Sequence, residues 1–178
     1  MKWLKRIAFV VVALVAIPIV ALLIAGRRSN AGHNHASVVI DRPAASIFRY
    51  FTDYEQVKRW VPSLQAVKYI RGDAFQVGAV VRLSMKGAEQ DEEIVAIEPG
   101  RRLGLKLWGA GGEFDEDCDY WFDEAAGKTT VRVEAVTRYH GAFVLLEPII
   151  TPSADRALAD VLGKLKVLAE SEIPEQAR

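Results

Sequence analysis

The stretch SADRALADVLGKLKVLAES, residues 153–171, decides the fold. Ala154, Leu158, Val161, Leu162, Leu165 and Leu168 recur at spacings of three and four. They form one apolar stripe against a polar face, so the segment predicts a long amphipathic helix with one side to bury. Upstream the texture is different. Leu64–Arg71, Ala79–Lys86, Glu92–Glu98, Leu103–Trp108, Phe114–Phe122 and Thr129–Tyr139 read as strands. Gly72-Asp73, Gly87, Pro99-Gly100, Gly109 to Gly112 and Ala126-Gly127 mark the turns between them. Connections this short predict an antiparallel meander.

Before the meander, Val38-Val39-Ile40 reads as a strand stopped by Asp41-Arg42-Pro43. Pro43 opens a short helix from Ala44 to about Phe51, and a second runs near Tyr54 to Trp60. The order is strand, two short helices, six strands, long helix. The predicted class is α+β. A curved antiparallel sheet of six to seven strands wraps around the C-terminal helix, and that arrangement leaves room for a cavity between them.

The N-terminus is a different material. Ile7 to Ala25 carries no charge and is broken only by Pro18. At about 1.5 Å per residue such a helix spans the hydrocarbon core of a bilayer. Lys2, Lys5 and Arg6 precede it, and Arg27 and Arg28 follow. The apolar run is long for a cleaved signal peptide, and two arginines separate it from the small residues Ser29-Asn30-Ala31. Residues 1–28 therefore read as an uncleaved transmembrane signal-anchor. A cleaved signal remains the alternative. The basic flanks favour a cytoplasmic N-terminus and an extracytoplasmic domain, periplasmic if the source is bacterial. Residues 29–36 read as a linker, 37–173 as one domain and 174–178 as a tail.

This division explains the composition. The chain has 178 residues, with 23 Lys+Arg and 23 Asp+Glu. Beyond residue 28 it keeps 18 Lys+Arg against 23 Asp+Glu, a net charge of −5. An acidic domain offers no general attraction for nucleic acid. The one cysteine, Cys118, excludes an internal disulfide.

Several residues carry the resemblance to a known family. They are the strand running into Pro43, then Phe48, Asp53, Trp60 and Pro62. Glu98-Pro99-Gly100-Arg101-Arg102-Leu103 follows between central strands, and Gly127-Lys128-Thr129-Thr130-Val131-Arg132-Val133 opens the last strand. In this order the chain, from Ser37 to Ser171, resembles the START-like or helix-grip superfamily (SRPBCC), including its polyketide cyclase/dehydrase-like and lipid-transfer members. The resemblance implies a helix-grip fold with an apolar ligand cavity. It does not imply one activity, because this fold hosts binders, transporters and enzymes.

On Phe114–Phe122, Phe114, Glu116, Cys118, Tyr120 and Phe122 share one face, and Asp115, Asp117 and Asp119 share the other. Glu116 thus falls on the apolar face. There it is a ligand anchor or the one weak catalytic candidate, unless a bulge turns it outward. The expected ligand-lining residues are Leu83, Met85, Leu105, Glu116, Tyr120 and Tyr139. Phe48 and Trp60 read as packing residues. The acidic run Glu89, Asp91, Glu92 and Glu93 reads as a solvated hairpin. His140 belongs either at a cavity mouth or at an exposed strand end. Gly141 to Ile150, with Phe143, Val144, Leu145 and Leu146, is an apolar connection that caps the cavity or touches a membrane.

No metal or cofactor is expected. His33 and His35 lack a third ligand. The Asp115-Asp117-Asp119 spacing fails as a calcium loop, with Tyr120 where glycine belongs. Three functions fit: a membrane-anchored protein binding an apolar small molecule or lipid, a cyclase/dehydratase-type enzyme using the same cavity, and a protein-interaction or assembly factor.

Overall fold

A computed structural model describes residues 3, 6, 12–21 and 31–172. Residues 12–21 are helical. The rest of the expected span, 7–11 and 22–25, lies outside the described residues, as does the expected tail at 174–178. Among the described residues no helix is long and apolar enough to cross a membrane.

Seven strands form one antiparallel sheet: β1 Gly32–Ile40, β2 Leu64–Arg71, β3 Val80–Met85, β4 Ala88–Glu98, β5 Arg102–Gly109, β6 Phe114–Ala125 and β7 Lys128–Tyr139. Their order is β1-β7-β6-β5-β4-β3-β2. Helices α1 (Ala44–Thr52) and α2 (Tyr54–Trp60) carry the chain from one sheet edge to the other, and α3 (Glu147–Ser171) closes the inner face. Asp53 starts α2 by accepting the Glu55 amide at 2.9 Å, as expected of an N-cap. Ile40, Ile47, Ile94, Leu103, Val131, Val133, Leu162 and Leu165 are at most 1 % exposed and form the centre of the core.

Two boundaries differ from expectation. The first strand begins at Gly32, so most of the expected 29–36 linker is β-sheet. His33 and His35 point outward while Asn34 and Ala36 are buried. These polar residues hold a strand because β7 pairs with it and α3 satisfies its other side. Asn34 donates to the Thr151 carbonyl (2.7 Å) and to Asp155 (3.0 Å), and Asp155 also accepts the His35 amide (2.9 Å). A Cβ on Gly32 would meet Thr151 Oγ1 at 2.6 Å, so any larger residue here forces the Thr151 side chain to move. Asp155→Ala is expected to cost about 1 kcal/mol, because the buried Asn34 amide loses one of two acceptors. Urea unfolding at pH 7 measures it.

The second difference is α3, which begins at Glu147 rather than about Ser153. Pro148 and Pro152 read as breaks in the sequence. Pro148 instead sits in the first turn, where no donor is needed, and Pro152 removes a single donor from the next.

Candidate functional site

A cavity of about 270 Å³ lies between the inner face of the sheet, α2 and the N-terminal half of α3. Leu83 and Met85 from β3, Leu103, Leu105 and Leu107 from β5, and Cys118 and Tyr120 from β6 form its floor. Ala157, Leu158 and Val161 of α3 close it, with Val57 and Trp60 of α2 at the side. Phe51 is wedged behind, with ring centroids 4.9 Å from Trp60, 4.9 Å from Tyr120 and 5.0 Å from Phe122.

Two carboxyl groups interrupt this apolar lining, Glu92 on β4 and Glu116 on β6. They occupy one row across the sheet. Glu92 pairs with Leu107 of β5, and Leu107 pairs with Glu116. Two inter-strand steps put their Cα atoms about 10 Å apart, on either side of Leu107. Tyr54 donates to Glu92 at 2.7 Å, and Thr137, the next position in the row, donates to Glu116. Burial pushes the Glu92 carboxyl up to about 7, against the opposing Tyr54 hydrogen bond. It also raises Glu116, which the Thr137 bond opposes. The Tyr54 phenol is pushed far up by burial and by the neighbouring Glu92. Among the described residues no Lys, Arg or His lines the cavity.

The inner and outer faces of β6 fall as its alternation predicts. Asp115, Asp117 and Asp119 turn outward and meet bases: Arg138 bridges the first two at 3.0 Å each, and Arg102 contacts Asp119 at 2.8 Å. Among the described residues no group of acidic, His or Cys side chains is arranged to hold a metal. His140 is exposed and bonds Asp115 at 2.6 Å on this outer face, away from the cavity.

Of the six expected lining residues, Leu83, Met85, Leu105, Glu116 and Tyr120 line the cavity. Tyr139 does not. It pairs with Phe114 at the strand end, where Thr151 and Glu147 of α3 crowd it. Trp60, expected only to pack, also lines the cavity, while Phe48 is buried behind it. The connection after β7 is a 3-10 turn, Gly141–Leu145, leading into α3. None of its residues lines the cavity, and Phe143, Leu146 and Ile149 are exposed.

The acidic run is the main correction. It is strand rather than solvated hairpin, because β4 begins at Ala88. Glu92 is buried on the inner face with Ile94, and Asp91 is buried on the other face. Arg82 holds Asp91 through bonds of 2.8 and 2.9 Å. The signal was present: continuing the alternation upstream from Ile94 puts Glu92 and Gln90 inside.

The sequence is matched over residues 33–170 by the model of a family described as polyketide cyclase/dehydrase and lipid transport. The chain belongs to that family. Its structural relatives include DynU16, from the dynemicin biosynthetic locus. That match is 19% identical with a TM-score of 0.60, and covers 79% of this chain but only 48% of DynU16. Ara h 8.0201 is 13% identical over 80% of this chain and 99% of its own, at a TM-score of 0.63. CalU16 from Micromonospora echinospora is 18% identical over 83% and 81%, at 0.59. At these identities the likeness establishes the fold. No curated protein matches the chain. Membership agrees with an apolar cavity between sheet and helix as the family member's working part.

Cys118 offers a check on how closed that cavity is. Its thiol is 5 % exposed, and burial pushes its pKa well up. The folded protein is expected to resist Ellman's reagent at pH 8, with full reaction in denaturant. Rapid labelling of the native protein would mean the cavity opens freely to solvent.

Proposed function

We propose that the chain is a membrane-anchored binding protein that holds an apolar small molecule or lipid between its sheet and C-terminal helix. The observation that carries this reading is a mostly apolar cavity with a few convergent polar groups, the usual make-up of a small-molecule site. Leu83, Met85, Leu105 and Tyr120 contact the body of the ligand, and Glu116 its polar end. Residues 7–25 anchor the chain, with the N-terminus cytoplasmic and the domain outside. Anchoring concentrates the domain where lipidic cargo is found.

Native mass spectrometry of the detergent-extracted full chain tests the binding. A mass shift from a retained apolar molecule, or uptake of one, is expected, and a chain that never carries or takes up any ends this reading. Carbonate extraction of membranes tests the anchor, and release of the chain would rule it out.

A second reading has a specific observation in its favour. Buried Glu92 and half-buried Glu116 face one cavity, an arrangement suited to general acid–base work on a bound chain in a cyclase/dehydratase-type reaction.

A further inference from the structure

The cavity presents acid without base. Glu92 and Glu116 stand in one cross-strand row with Leu107 between them, and each receives a single side-chain hydroxyl, from Tyr54 and Thr137. Among the described residues no basic side chain lines the cavity, although most outer carboxylates there pair with Arg or Lys. Tyr54, Trp60 and Tyr120 add ring surfaces. Buried carboxyls without a cation are costly. A ligand bringing one positive charge would balance one of them when ionised, the other staying protonated, and aromatic faces suit a cation as well.

We propose that the ligand is an apolar amine whose ammonium group pairs with the Glu92 carboxylate beside Leu107, with its hydrocarbon body among Leu83, Leu105 and Leu158. This rests on the binding reading above and names its substrate class. The charge-assisted bond from an ammonium to a buried carboxylate is strong. Binding needs Glu92 ionised, with Glu116 staying protonated. Glu92 faces Tyr54 from α2, Tyr69 from β2, and Cys118, Tyr120 and Glu116 from β6, with Gln90 on its own strand. The α3 residues at the cavity, Ala157, Leu158 and Val161, do not titrate. None of these neighbours supplies a positive charge, so the amine itself drives ionisation. Its affinity falls as pH drops below about 7.

The test uses the full chain in a non-ionic detergent and three probes with one skeleton: 2-cyclohexylethylamine, 2-cyclohexylethanol and cyclohexylacetic acid. Titration calorimetry gives each affinity at pH 8 and pH 6. The amine is expected to bind about tenfold tighter than the alcohol at pH 8. That preference shrinks at pH 6, where the alcohol's affinity is unchanged. Glu92→Gln, shown folded by its thermal melt, loses most of the preference and retains alcohol binding. Alcohol or acid binding as tightly as the amine overturns the amine assignment and leaves the apolar-binding reading standing. The same holds if no probe binds but native mass spectrometry finds a retained neutral lipid. No probe bound and no molecule retained overturns both.

Discussion

Glu92→Gln is expected to stabilise the protein at pH 8 by about 2–3 kcal/mol. In the folded state burial raises the Glu92 carboxyl from 4.5 to about 7. In the unfolded chain it titrates at its ordinary value. Between those two pH values the unfolded state gives up its proton and the folded state keeps it, so stability falls as pH rises. The loss begins above about pH 4.5 and is complete above pH 7. That rise sets its ceiling at about 3 kcal/mol. Glutamine never ionises and still accepts the Tyr54 hydroxyl, but its amide hydrogens need a place in the cavity, which lowers the gain. The measurement is a series of urea unfolding curves from pH 5 to pH 8. The variant and the natural chain should nearly coincide at pH 5 and diverge steadily above it. Parallel curves would mean that Glu92 reaches water.

The second large effect is at Phe51. It is 4 % exposed and touches the rings of Trp60, Tyr120 and Phe122. Phe51→Ala removes the ring that joins α1 to the cavity wall. It is expected to cost about 3–5 kcal/mol, from lost burial, lost ring contacts and an enlarged void. Phe143→Ala is the matched control. That ring is 41 % exposed and outside the core, so a change within about 0.5 kcal/mol is expected. Thermal melts of the two variants should separate by many degrees. Equal melting temperatures would show that the aromatic cluster does not hold α1 in place.

The parts legible in the sequence were those with a strong period. The stripe of Leu158, Leu162 and Leu165 and the alternation of Phe114 to Phe122 carry one signal each over many residues. They positioned the sheet face, the helix and Glu116. What escaped notice had its period masked by composition. Glu92 is buried in a run of like charges, which reads as solvated whichever face it takes. The start of β1 is masked in the same way. His33, Asn34 and His35 are polar, and only their distant partners Thr151 and Asp155 make a strand of them. Tyr139 shows the converse limit: its face was right, but alternation does not tell how far along a strand the cavity extends.

The order of the sheet carries a consequence for how the molecule comes into being. β2 through β7 are joined neighbour to neighbour by short turns, but β1 meets β7 across about a hundred residues. Closing so long a loop is slow, and the local hairpins can form without it. α3 packs on β1, so the helix that closes the cavity depends on the strand that arrives late. The cavity is therefore a late product of folding. A ligand recognises only the finished molecule, acts on the unfolding rate rather than the folding rate, and lengthens the lifetime of the native state in inverse proportion to the fraction of sites left empty.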